Sequence, residues 1–83
     1  MIYKACDDDT LLDEARALAA RLASGPTVAY SVMRKNILTA IENSLAEALL
    51  AEAEGQLVAG GSDDAAEGTA AFIEKRKAEF KGK

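Results

Sequence analysis

At 83 residues with a single cysteine and no histidine, the chain can hold one domain at most, cannot close an internal disulfide, and lacks Ser-His or Cys-His nucleophile pairs. Its net charge of -4 excludes a global field for nucleic-acid phosphates, so nucleic acid is not an expected partner. Apolar residues make up 49% of the chain but aromatics only 5%, a composition that suits closely packed helices of Leu, Ile, Val and Ala and opposes a β-sandwich, so the fold class is all-α.

In chain order, residues 1–9 read as a short strand or extended arm. Ile2-Tyr3-Lys4-Ala5-Cys6 is β-compatible, and Asp7-Asp8-Asp9 stops it while placing negative charge where a helix begins. The start has no long apolar run of the kind a secretory signal or membrane span needs, so no membrane partner and a cytoplasmic location are expected. Cys6 is assigned no chemistry.

Residues 10–83 read as about four short helices forming one helical unit. Thr10 with Asp13 and Glu14 resembles a capping box, and Leu11, Ala15, Leu18 and Leu22 recur at helical spacing up to Gly25, which suits a left-handed closing position. Pro26 fits the first turn of a second helix carrying Val28, Val32, Met33, Ile37 and Ile41, with Arg34, Lys35 and Asn36 on its polar side. Ser44 with Glu47 repeats the capping-box pattern and predicts a break there. The third helix, with Leu45, Leu49, Leu50, Ala53 and Leu57, ends at Gly60-Gly61.

A fourth helix begins at Ser62 or Asp64. Ala66, Ala70, Phe72 and Ile73 are its predicted buried stripe, and Lys75, Arg76 and Lys77 fall in its last turn, where cations complement the macrodipole. Glu67 in the first turn reads as a cap or subunit contact. Gly68 reads as a place where another helix approaches closely, and Phe80 as the start of a frayed tail. The connections are short, so helices adjacent in sequence are expected to be adjacent in space.

The ordered set Gly25-Pro26, Lys35, Glu47 with Glu52 and Glu54, Ser62-Asp63, Glu67-Gly68, Ala71-Phe72, Glu74-Lys75-Arg76 and Phe80 resembles the carboxy-terminal helices of the enoyl-CoA hydratase/isomerase (crotonase) family. The resemblance covers nearly the whole chain. It implies a helical region that assembles subunits into a trimer or hexamer and helps close an acyl-CoA site, with itself or a crotonase core domain as partner. Lys75, Arg76 and Phe72 are then the substrate-binding candidates for the CoA moiety, in a neighbouring subunit's site or its own, because a lysine serves phosphate as a point charge. Dipole complementation remains the alternative reading of the basic cluster. Gln56 stands where the family can supply an aromatic, and Ala78 where a proline is common.

The resemblance also implies what this segment leaves to others. The family's ββα core, its oxyanion hole and its catalytic carboxylates come earlier than these helices, so no catalytic residue, metal or resident cofactor is expected here, and the 83 residues alone are expected to be inactive. Three further classes compete with this reading. One is a stand-alone helical interaction module with no relation to CoA. Another is an acyl-carrier-like protein, whose attachment site Asn43-Ser44-Leu45 matches weakly. An independent enzyme is the third alternative, carried by Glu67 and Lys75.

Overall fold

The structure is a computed structural model that describes residues 2–83; Met1, the first residue of the expected arm, lies outside the described residues. Four α-helices follow one another: α1 (Leu11–Ala23), α2 (Thr27–Glu42), α3 (Leu45–Gly60) and α4 (Asp63–Glu74). No strand occurs among the described residues, so the arm before α1 is extended coil. No described helix is long and apolar enough to cross a membrane.

The arm lies against α1. Lys4 Nζ meets Glu14 Oε1 at 2.7 Å, and the Arg21 guanidinium donates to the Tyr3 hydroxyl at 2.6 Å while sitting 5.9 Å from its ring centroid. Thr10 does not cap α1 as its capping-box pattern suggested. Its own backbone is already helical, and its hydroxyl donates to the Asp7 carbonyl at 3.0 Å, so the aspartate run makes a turn that takes up the would-be cap. Gly25 is not left-handed either. Its missing side chain serves Tyr30 instead, since a Cβ there would lie 2.7 Å from Tyr30 Cε2.

Pro26 stands one residue outside α2, where its carbonyl accepts from Tyr30 N at 3.1 Å and closes the first turn. The helix ends at Glu42, and extended Asn43 leads straight into Ser44. There the capping box forms in full: Ser44 Oγ accepts from Glu47 N, and Ser44 N donates to the Glu47 carboxylate at 2.9 Å. The Ser44 hydroxyl, donating to the Glu47 carboxylate at 2.6 Å, and after it the Ser44 N–H hold the Glu47 carboxyl below its ordinary value.

With so short a connection, α2 and α3 pair as an antiparallel hairpin, Ala40 facing Leu45 at the closed end and Ala29 facing Ala59 at the open end. Gly55 is where the two helices come closest. It is buried, and a Cβ on it would fall 2.5 Å from Val32 Cγ1 and 3.1 Å from Asn36 Nδ2. Helix α4 then packs against the end of α3, and α1 stands largely apart from both, contrary to the expectation from short connections.

The result is a flat plate of 44 × 38 × 18 Å. Its radius of gyration of 15.9 Å compares with about 12 Å for a compact domain of this length. Its accessible surface of 6862 Å² compares with roughly 4,700 Å² for a folded monomer of the same mass. Ala71 is the one hydrophobic residue fully buried among the described residues, while Ile41, Leu45 and Leu57 are all at least three-quarters exposed. A chain rich in Leu and Ile has formed its helices and left their apolar faces uncovered.

Candidate functional site

The chemistry of the chain gathers where α4 ends and the segment after it turns back. Ser62 starts the helix, its Oγ accepting from Ala65 N at 3.1 Å and donating to the Ala59 carbonyl at 2.7 Å. Asp63 and Asp64 occupy the positive end of the helix dipole. At the other end, Arg76 N donates to the Ala71 carbonyl at 3.0 Å and Lys75 N to the Phe72 carbonyl at 3.4 Å, a Schellman closure. Its turning residue is Lys75, with φ of 55°, in the left-handed position that glycine usually fills. The basic cluster therefore lies beyond the helix rather than in its last turn.

From that turn, residues 76–83 run back along α4 instead of fraying. The buried Asp64 carboxylate accepts from Lys81 N at 2.7 Å and Gly82 N at 2.9 Å, and Asp64 N donates to the Lys83 carbonyl at 3.0 Å. Three residues along the same face, Glu67 takes both ends of the Arg76 guanidinium, with Nη2 at 2.9 Å from Oε2, and also accepts from Glu79 N at 2.8 Å. Arg76 Nε turns to Glu74. Between these fastenings the Phe80 ring lies over Gly68, 3.5 Å from where a Cβ would stand. The close approach predicted at Gly68 thus exists, but with the tail and not with another helix.

The electrostatics follow from that geometry. The Arg76 guanidinium, with the Glu79 amide, pulls the Glu67 carboxyl down to about 2, and Glu67 and Glu74 together push Arg76 further above its already high value. A shallow polar hollow of about 450 Å³ opens beside them, floored by Asp64, Glu67 and Arg76 and edged by Lys81 and Lys83. Each oxygen of the Asp64 and Glu67 carboxylates already accepts at least one N–H.

Of the three predicted binding residues, the fold brings Phe72 and Lys75 to one exposed edge and commits Arg76 elsewhere. Phe72 is 85% exposed and Ile73 73%, so neither belongs to a buried stripe within this chain; Ala71 and Asp64 are buried in their place. Lys75 is exposed and enters no ion pair among the described residues. An unpaired ammonium offers a point charge for an anion, and the uncovered Phe72 ring three residues earlier in the chain offers an apolar surface. Ser44, the residue behind the carrier alternative, is occupied as a helix cap.

Sequence reasoning missed Asp64 and Gly55. Asp64 was read only as a helix start, and nothing in a one-dimensional pattern says that a tail seventeen residues on will return to it. Gly55 sat among Glu52, Glu54 and Leu57 as an unremarked member of a helical run, although a glycine inside a helix that costs about 1 kcal/mol was the available signal.

Four helices without a strand, closed by a back-folded tail, define an all-α unit of the kind that crotonase-fold enzymes carry. The solved enoyl-CoA hydratase of Geobacillus kaustophilus HTA426 superimposes on 90% of this chain with a TM-score of 0.85 and 35% identity, the match taking up 28% of that chain. The family model described as enoyl-CoA hydratase/isomerase matches residues 1–83, and the chain belongs to that family. Among curated relatives, the 1,2-epoxyphenylacetyl-CoA isomerase of Escherichia coli K12 is 41% identical over 83 residues, all of this chain and 32% of that protein. A probable enoyl-CoA hydratase of Rhodobacter capsulatus is 37% identical over the same 83 residues. The chain spans about a third of the length of the curated relatives it matches.

Proposed function

We propose that these helices form the assembly and CoA-contacting part of an enoyl-CoA hydratase/isomerase acting on acyl-CoA thioesters, and bring surface and a phosphate contact to the site rather than reacting groups. The observation that carries this is an excess of total accessible surface on a flat plate, together with its many exposed Leu and Ile side chains. That excess, about 2,100 Å² above a self-contained monomer, is as large as a stable protein interface. The partners are a crotonase core and further copies of the chain, and the compartment is the cytoplasm. Lys75 supplies the charge for a CoA phosphate and Phe72 the apolar contact beside it, while Arg76 acts inside the chain by fastening its tail.

Titration with a CoA ester, alone and after mixing with a crotonase core, tests this. Binding should appear or strengthen in the mixture, fall as salt rises, and weaken on Lys75→Ala. Turnover of a crotonyl thioester by the 83-residue chain on its own would refute the supporting role. Indifference to CoA in both settings would leave the interaction-module reading in possession.

A further inference from the structure

We infer that Asp64 and Glu67 are positioning residues for Lys75: by fastening residues 76–83 along α4 they hold Lys75 in its left-handed turn at the end of the helix, with its side chain exposed. This rests on the proposed CoA contact of Lys75. The reasoning begins with the backbone. A side chain disfavours φ of 55°, and one of the two hydrogen bonds closing the turn is long, 3.4 Å from Lys75 N to the Phe72 carbonyl. The turn needs support from outside itself.

That support comes from two carboxylates three residues apart on one face of α4. Between them they accept the main-chain N–H groups of Glu79, Lys81 and Gly82, and Glu67 grips the side chain of Arg76, the residue directly after the turn. The direction in which the chain leaves Lys75 is therefore set by Asp64 and Glu67. The same contacts sort the cations. Glu67 and Glu74 neutralise Arg76, so of the three consecutive cations Lys75 and Lys77 stay unpaired among the described residues, and Lys75 is the one whose backbone the turn fixes.

The test uses coenzyme A as the probe in calorimetric titration of the chain mixed with a crotonase core, and reads the φ of Lys75 in the 83-residue chain from its HN–Hα coupling together with its intraresidue HN–Hα NOE, which is strong only in the left-handed region. Glu67→Ala should move Lys75 out of the left-handed region and weaken CoA binding about fivefold. Glu67→Gln, whose carbonyl oxygen still accepts from the Glu79 amide and the Arg76 guanidinium, should keep both nearer to the unsubstituted chain than Glu67→Ala does, which a merely disrupted helix would not do. If Lys75 keeps its φ in Glu67→Ala, or if CoA affinity stays unchanged there while Lys75→Ala lowers it, the positioning role is overturned. If CoA ignores Lys75→Ala altogether, the proposed CoA contact fails instead, and the coupling measurement then decides alone whether Glu67 holds the turn.

Discussion

Between α2 and α3 the contact is made by absence: Gly55 leaves a notch that receives Val32 and Asn36, and the flanking apolar residues stay largely in solvent. Along α4 it is made by presence, with two carboxylates holding three amides and a guanidinium of the returning tail. The hairpin keeps its apolar groups for contacts outside itself, whereas the α4 unit satisfies its polar groups within itself. One region leaves apolar groups open and the other pairs its polar groups internally, and that difference favours the hairpin as the assembly surface of the proposed reading and gives Lys75 its defined backbone geometry.

The largest effect should come from the open region. Glutamates at Ile37 and Leu49, both on the groove between α2 and α3, should convert a concentration-dependent oligomer into a monomer in sedimentation velocity, with helical circular dichroism retained. An unchanged mass distribution would remove the hairpin from the assembly surface.

Next comes the closed region. Asp64→Ala deprives two tail amides of a buried charged acceptor and should cost about 3 kcal/mol in urea unfolding, since hydrogen bonds to charged groups contribute roughly 1.5 to 3 kcal/mol each. A cost below about 0.5 kcal/mol would mean the tail is held otherwise. The Glu67 fastening has its own pH signature. Its folded value of about 2 lies below the ordinary carboxylate value of 4.5, so its contribution is full above about pH 4.5 and drains away as pH falls towards 2. Amide exchange at Glu79, followed across that window, should speed up ahead of amides in α2, and parallel behaviour would contradict the assignment.

Smaller effects sharpen the contrast. Gly55→Ala gains helix propensity of about 1 kcal/mol but drives a Cβ into Val32, whose branched side chain has little freedom in a helix, so a net loss of about 1 kcal/mol is expected. A net gain in denaturant midpoint would show the notch to be loose. Lys75→Gly relieves the left-handed turn and should raise stability by up to about 1 kcal/mol while removing the charge offered to CoA. Stability lost in that variant would mean the lysine stem packs against the fold.

The helices themselves were legible in the sequence because their punctuation is local. Ser44 with Glu47, Gly60-Gly61 and Ser62 each act within a few residues of the boundary they set. What the apolar stripes pack against was not legible. Periodicity records that Phe72 and Ile73 share a helix edge with other apolar groups, but no other element of the described chain covers that edge, so the predicted burial fails at those two residues. The tail was misread for the opposite reason: its anchor at Asp64 is distant in sequence and resembles an ordinary helix start. At the site, Lys75 was found through its family resemblance, while the distinction between Lys75 and Arg76 came only with Glu67 and Glu74 in place.

The missing interior carries a last consequence, for abundance rather than chemistry. A plate only 18 Å thick with Ile and Leu side chains on open display is recognisable to chaperones and proteases for as long as those faces stay uncovered. Its lifetime in a cell should therefore follow how quickly and how completely they become covered.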